Sequence, residues 1–358
     1  MKATTSSTGQ DRATDASDAT PETTTTRPQT MRAIVARTYG DADVLQANEI
    51  DLPTIADDEV LVQVHAAGLD RGTWHLMTGR PYLMRILGFG FRAPKNPVPG
   101  LDVAGTVVAV GASVTRFAIG DAVFGIAASG SFAEYAAARE DKLAHKPAGL
   151  TFDEAAVMGV SAITAMQAVR DTARLDAGQR VLVIGASGGV GTYAVQIAKA
   201  AGAHVTGVCS TAKLDLVRSI GADHVLDYTR DAYLDGATHY DVIIDIGGNS
   251  SLSSLRRALA PRGTLVIVGG EEGGQVTGGF GRSLRAPLLS PFVSQRLTML
   301  ASKERCSSLE EVAELVETGH LTPVVDSTYP LHEVPAAMHH LEAGDVRGKV
   351  AIVVSGPR

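Results

Sequence analysis

Residues 181–191 read Val-Leu-Val-Ile-Gly-Ala-Ser-Gly-Gly-Val-Gly, an apolar run that breaks into glycines and opens the amphipathic stretch 190–201. A strand that turns into a helix through glycines leaves the first helical N–H groups free and the positive dipole end exposed, which suits a pyrophosphate. In the x-x-Gly-x-x-Gly spacing, Ala186 takes the first glycine slot, Gly188 lets the backbone approach the pyrophosphate, and Gly191 lets the helix pack on the sheet. Ala186, Ser187, Gly188, Gly189, Val190 and Gly191 are therefore the expected phosphate-binding residues. A glycine triplet alone also fits a tight turn that binds nothing; the strand before it and the helix after it favour a dinucleotide.

The surrounding rhythm extends this turn into a fold. Residues 181–184, 205–208, 224–227, 242–246 and 264–268 are short apolar runs, with helical patterns at 190–201, 212–220 and 251–259 between them. Gly202 and Gly221 stand where helix C′ glycines belong. Strands apolar on both faces and joined by helices predict a parallel, doubly wound α/β sheet. From Met31 to about Lys146, β-rich runs such as 32–36, 59–66 and 103–110 alternate with Gly, Pro and Asp turns, the pattern of a mainly antiparallel β domain. After Cys306 the sequence predicts two more helices, one opened by the capping-box pattern Ser308-x-x-Glu311, and a last strand over 350–354 that returns to the first domain. The 358 residues suit about two domains. Their expected limits are a tail over 1–30, the β-rich domain over 31–155, the nucleotide-binding domain over 156–305 and the return segment over 306–358. Residues 1–30 hold no Leu, Ile, Val or Phe and are expected to be disordered. They lack the apolar core of a secretory signal, and their four acids argue against a transit peptide.

The end of the second strand separates the two nicotinamide dinucleotides. An acid there would hold the ribose 2′-OH of NAD, but the chain reads Gly207-Val-Cys-Ser-Thr-Ala-Lys213, with Cys209 in the acid's place and no acid before Asp215. Ser210 and Lys213 offer a hydroxyl and a cation suited to a 2′-phosphate, and Tyr228 after the third strand reaches toward the same group, so NADPH is the expected cofactor. The competing reading makes Lys213 a solvated residue and Ser210 a helix cap.

Composition narrows the partners. With 45% hydrophobic residues the chain can build real cores, and no apolar run reaches the roughly 18 residues of a membrane span. A net charge of −7 gives no general reason to bind nucleic acid or an anionic membrane, so small molecules are the expected partners. Two cysteines, Cys209 and Cys306, cannot form a four-cysteine zinc lobe, and they fit a reducing, cytoplasmic compartment.

The order of parts resembles the medium-chain dehydrogenase/reductase superfamily, in which a Rossmann domain is inserted in a β-rich, GroES-like catalytic domain. The loop Gly185-Ala-Ser-Gly-Gly-Val-Gly191 is similar to that of the quinone oxidoreductase (zeta-crystallin-like) branch. So are Pro99-Gly-Leu-Asp-Val-Ala-Gly105, Gly120-Asp-Ala-Val-Phe-Gly125, Gly130-Ser-Phe-Ala-Glu-Tyr135 and Asp345-Val-Arg-Gly-Lys349. The resemblance runs from Met31 to about Val354. Where zinc alcohol dehydrogenases carry Gly-x-Cys and Gly-His-Glu, this chain has Gly68-Leu-Asp70 and Gly100-Leu-Asp102. Two carboxylates without His or Cys make a poor zinc site, so no metal is expected. Hydride transfer then needs an acceptor that takes charge without a Lewis acid, a quinone or an α,β-unsaturated carbonyl.

By the same resemblance, Asp70 takes the position of a cofactor-contacting asparagine and His75 that of a tyrosine proposed as proton donor, with Tyr82 as the alternative donor. His75 also reads as a surface histidine and Tyr82 as a packing tyrosine. Thr164 matches a threonine near the nicotinamide, Val268 and Gly269 lie where a strand's carboxyl end meets a cofactor, and Lys349 approaches from the return segment or is solvated at a strand edge. Residues 81–92 are apolar enough to line or cover an acceptor pocket, and the glycine-rich stretch 269–281 is expected to be a mobile loop closing over the nicotinamide. Relatives commonly pair through edge strands of the nucleotide domain, which implies a homodimer. A non-catalytic NADPH-binding sensor or scaffold is the alternative, motivated by the departures at Asp70 and His75.

Overall fold

The computed structural model describes residues 1–5, 28–270, 276 and 278–354. The expectation of a disordered tail falls largely on residues 6–27, outside the described residues. The first strand, β1 (Thr30–Val35), begins one residue before the expected limit of the β-rich domain and pairs antiparallel with β2 (Gln46–Asp51), starting from Thr30 against Asp51.

The first large sheet contains β3 (Glu59–Leu69), β4 (Asp102–Val110), β5 (Ala122–Ile126), β6 (Tyr135–Arg139) and β7 (Leu143–His145), all antiparallel to their neighbours. The helix α1 (Arg71–Thr78) follows β3 directly, and α2 (Phe152–Ala156) and α3 (Gly159–Met166) lead out of the sheet. A capping box does form at α2, between Thr151 and Glu154.

The second sheet is parallel throughout. Its strands are β8 (Arg180–Ile184), β9 (His204–Cys209), β10 (His224–Asp227), β11 (Tyr240–Asp245), β12 (Leu259–Ile267) and β13 (Arg296–Met299), in the order β10-β9-β8-β11-β12-β13. The helices between them are α4 (Gly189–Ala200), α5 (Leu214–Ser219), α6 (Leu252–Ala258) and α7 (Phe280–Leu289). Alternate side chains of a strand face opposite ways, and here both faces are covered. Val181, Val183, Val205 and Val266 belong to a core shared with α3, α4 and residues Ala66, Ala104 and Phe124 of the first sheet. Leu182, Ile184, Ile243 and Leu265 pack on the other side with Leu255 of α6 and Ala286 of α7. Each such buried aliphatic side chain contributes about 1.5–3 kcal/mol, which is why the strands read as unbroken apolar runs. Gly202 and Gly221 do end helices in the left-handed region, at φ +80° and +101°.

The return segment holds α8 (Cys306–Glu317), β14 (Val325–Pro330), α9 (Val334–Ala343) and β15 (Lys349–Val353). β15 pairs parallel with β14 and antiparallel with β3, joining the first sheet as expected.

Two expectations need correction, and one strand was missed. The helix α8 begins at Cys306, two residues before the capping-box pattern; Ser308 is buried inside it, and Glu311 pairs with Arg170 instead of capping. The stretch expected to be one mobile loop contains a helix, α7, from Phe280, so Gly281 is helical; residues 271–275 and 277 lie outside the described ones. The sixth parallel strand, β13, was not expected at all. Its exposed Arg296 and the Pro287 inside the preceding helix blur the apolar period.

Candidate functional site

The glycine turn leaves β8 with Gly185 at φ +85°, and Gly188 caps the N-terminus of α4. The glycines differ in what crowds them. A Cβ at Gly191 would overlap the Gly185 carbonyl and strike Ala186, so the helix packs on the turn only because Gly191 has no side chain. At Gly188 the nearest atom to a Cβ would be 3.7 Å away, leaving an open cradle beside the helix start. The Ala186 N–H is already bound to the Val208 carbonyl at 3.0 Å, Ala186 is fully buried, and Ser187 is nearly so. Gly188→Ala should therefore leave the melting temperature unchanged and weaken dinucleotide binding at least about tenfold by filling the cradle. Gly191→Ala should cost about 1–3 kcal/mol of stability from overpacking. Thermal melts and fluorescence titrations with NADPH read the two effects separately.

Beneath the turn lies a buried charge cluster built by topology. In the first sheet β15 adjoins β3 and β3 adjoins β4, with Val350 opposite Leu69 and Gly68 opposite Asp102. The ends of these strands bring Lys349, Asp70 and Asp102 together. The Lys349 Nζ donates to Asp102 Oδ2 at 3.1 Å and stands 3.7 Å from Asp70 Oδ2. Lys349 is 3% exposed, Asp70 8% and Asp102 0%, which excludes the alternative of a solvated strand-edge lysine. Asp102 Oδ1 accepts the Val160 N–H at the start of α3, at 2.7 Å. Asp70 Oδ1 caps α1 by accepting from the Thr73 N–H at 2.7 Å and its hydroxyl at 3.0 Å, while Oδ2 has no hydrogen-bond partner. Glycines make the room: side chains at Gly68 and Gly159 would strike the Asp102 carboxylate, and one at Gly189 would meet Lys349 Cδ at 2.7 Å. The Gly348 N–H donates to the Ser187 carbonyl at 2.8 Å, and Gly348 bridges Gly188, so the return strand is stitched to the phosphate turn.

The cluster has one cation for two carboxylates, and burial shapes its titration. Desolvation pushes Asp102 up to about 6, against the pull of Lys349 and the Val160 N–H. Burial alone would lower Lys349, but Asp102 and Asp70 outweigh it and hold the ammonium charged. Unfolded Asp102 titrates near 3.8. Between about pH 4 and pH 6 the folded chain thus holds a proton the unfolded chain has lost, and this group's contribution to stability falls as pH rises through that window. Urea melts across the window should show wild type losing stability relative to Asp102→Asn as pH rises; a constant difference would contradict the raised pKa.

At the end of β9, Cys209 is buried, with burial raising its thiol to about 11. The Tyr228 N–H donates to the Cys209 carbonyl at 3.1 Å, bringing the exposed Tyr228 beside this strand end. Ser210 stands ahead of a short helical turn without capping it through its side chain. Lys213 is half-buried rather than solvated. Its ammonium donates to the carbonyls of Gly344 at 2.6 Å and Val346 at 2.9 Å, and desolvation lowers its pKa. Two residues here went unrecognised in the sequence. Arg347 is exposed and close enough to Lys213 to depress its pKa further. Asp227 is an acid directly opposite Cys209, yet hydrogen bonds from Thr211 and Thr229 already occupy its carboxylate and lower its pKa.

On the other side of the turn, His75 Nδ1 lies 2.7 Å from the Arg80 carbonyl. A carbonyl only accepts, so Nδ1 carries the proton and Nε2 can donate only from the imidazolium. Tyr82 is 36% exposed with the Arg85 guanidinium over its ring at 4.7 Å. The Thr164 hydroxyl is turned back to the Val160 carbonyl at 2.7 Å. At the ends of β11 and β12, the N–H groups of Val268 and Gly269 both point to the Asp245 carbonyl. Arg282 of α7 pairs with the buried Asp245 carboxylate and donates to the Gly269 carbonyl at 2.9 Å, fixing α7 at this edge. An acid ending an apolar strand was the signal for this anchor. Within residues 81–92, Ile86 and Phe91 are more than 70% exposed.

Two family models match the chain, an alcohol dehydrogenase GroES-like domain over residues 56–148 and a zinc-binding dehydrogenase over residues 220–352. The residues do not fit the zinc that the second description implies. The two carboxylates at the ligand positions face the Lys349 ammonium, Leu101 supplies no ligand, and no group of three metal-ligating side chains is found among the described residues. The chain is 33% identical to the mitochondrial NAD(P)H oxidoreductase RTN4IP1 of Bos taurus, covering 93% of this chain and 91% of that protein. It is also 33% identical to the chloroplastic NADPH-dependent alkenal/one oxidoreductase of Arabidopsis thaliana, over 91% and 80% of the two chains. The quinone oxidoreductase structure from Coxiella burnetii superposes with a TM-score of 0.79 at 27% identity, covering 91% of this chain and all of that one. With the inserted parallel sheet, the GroES-like domain and these relatives, the chain belongs to the medium-chain dehydrogenase/reductase superfamily, in its quinone oxidoreductase-like branch.

Proposed function

We propose that this oxidoreductase is a zinc-independent, NADPH-dependent reductase of quinones or α,β-unsaturated carbonyls. The observation that carries the reading is the Lys349 ammonium seated between Asp70 and Asp102. A second cation in that place would face the ammonium's charge, so the acceptor must take hydride without metal polarisation. The similarity to an alkenal/one oxidoreductase of Arabidopsis thaliana and a quinone oxidoreductase of Coxiella burnetii supports such acceptors.

The open cradle at Gly188, with Ser187, Gly189, Val190 and Gly191, would hold the pyrophosphate at the α4 N-terminus. Lys213, Arg347, Ser210 and Tyr228 would receive the 2′-phosphate, and Val268, Gly269 and Thr164 would border the nicotinamide. Bound NADPH supplies a hydride. The protein's own tasks are to orient the acceptor, exclude water and supply a proton. His75 or Tyr82 does the last, and the tautomer of His75 restricts it to donating as the imidazolium. Asp70 and Lys349 act as positioning residues, tying the start of α1 to the phosphate turn. In the same reading the domain limits are 31–155 with 306–358 and 156–305, the free cysteines fit a cytoplasmic compartment, and a homodimer pairs through an edge strand of the parallel sheet, β10 or β13.

Oxidation of NADPH followed at 340 nm with a panel of quinones and enones tests the proposal. Turnover that survives a chelator is expected; loss of turnover on chelation overturns the metal-free claim. Tight NADPH binding with no turnover on any acceptor would instead support the non-catalytic sensor or scaffold.

A further inference from the structure

Two stretches of this acidic chain contain no acid. Residues 71–101 hold five Lys or Arg and residues 273–303 hold four, yet none of the protein's 39 Asp and Glu falls in either. The fold joins them: the Leu83 N–H donates to the Val276 carbonyl at 3.1 Å, and a Cβ on Gly278 would lie 3.1 Å from Pro81. The same two stretches carry eight of the twelve exposed large hydrophobic residues found among the described ones. Ile86, Phe91, Leu288 and Phe292 are each 72–83% exposed. Leu284 and Leu288 stand one turn apart on α7 and share a face.

The basic side chains divide by what holds them. Arg282 is spent on Asp245, and Arg85 is clamped between the Tyr39 and Tyr82 rings while donating to the Gly79 carbonyl. Arg92, Lys95 and Arg285 are exposed, lie beside the apolar residues, and make no ion pair among the described residues. Exposed apolar side chains gathered on two segments that the fold joins mark an interaction site.

We infer that the face formed by residues 86–95 and the outer side of α7 docks on an anionic lipid bilayer surface. Such a surface answers both features, taking aromatic and aliphatic tips into the acyl boundary and cations among the headgroups. A second copy of the same face would set cations against cations. No helix among the described residues is long and apolar enough to cross a membrane, so the contact is interfacial. The overall charge of −7 opposes it away from this face, which makes the attraction local and sensitive to salt. The docking does not depend on the proposed activity.

Flotation of the full chain with phosphatidylcholine vesicles, with and without phosphatidylglycerol, tests this directly. The protein should float with the anionic vesicles at low salt, stay behind with the neutral ones, and be released by high salt. Leu284→Glu with Leu288→Glu, and separately Arg92→Glu with Arg285→Glu, should each reduce the bound fraction on the order of tenfold. Ile119→Glu, at an apolar residue 68% exposed elsewhere, should change nothing, and unaltered melting curves would establish that the variants fold. The inference is overturned if the wild type does not float with anionic vesicles, or if both double variants float as it does. It is also overturned if Leu288→Glu splits an oligomer that never binds vesicles, which would give the face to a second copy.

Discussion

Lys349→Met should lower the unfolding free energy by about 3–5 kcal/mol, the cost of leaving buried carboxylates without their cation. Asp102 is fully buried, and Asp70 Oδ2, without a hydrogen-bond partner among the described residues, lies 3.7 Å from this ammonium. The pair Lys349→Met with Asp102→Asn should be less destabilised than the sum of the single changes, because removing both partners relieves the unpaired charge. Arginine should not rescue: the stem of Lys349 already lies where a side chain on Gly189 would be, and Gly348 is pinned to the Ser187 carbonyl. Urea denaturation of the four chains measures the cycle. A single variant as stable as wild type would mean that the cluster carries no buried charge to neutralise.

The second large effect separates the two cofactors. Lys213→Glu should weaken NADPH binding about 100-fold, from loss of a charge-assisted hydrogen bond and a new repulsion toward the 2′-phosphate. NADH lacks that phosphate, so its affinity should change far less. It should still fall somewhat, because Lys213 also holds the carbonyls of Gly344 and Val346, and loss of that clamp is felt with either cofactor. Titrating both nucleotides against wild type and variant reads the two contributions separately, and equal losses would remove Lys213 from the 2′-phosphate site.

How much of this was legible depended on how far apart the interacting residues lie in the chain. The parallel sheet could be read because each strand is buried on both faces and each helix follows within a few residues, so the pattern is local. The glycine turn was legible for the same reason. The Lys349 cluster was not: Asp70, Asp102 and Lys349 stand at the ends of three strands that adjoin only after the return segment closes on β3. A lysine beside a glycine at the start of a strand reads as solvated until its neighbours are known. At Ser308 a sound capping pattern lost to packing, since the helix had already begun at Cys306 and burial took the hydroxyl. Asp227 was passed over because its position opposite Cys209 is set by strand register, while α7 was hidden by glycines at its start and a proline inside it.

The seam between Gly348 and the phosphate turn bears on the order in which the protein becomes competent. The glycine turn is translated more than 150 residues before the strand that buttresses it, and Gly188, Ser187 and Lys213 all wait for partners between Gly344 and Gly348. A nascent chain can build the parallel sheet and still lack the support of its phosphate cradle. Cofactor capture is thereby tied to completion of the return segment, and a chain halted before it would hold the dinucleotide poorly even with the sheet in place.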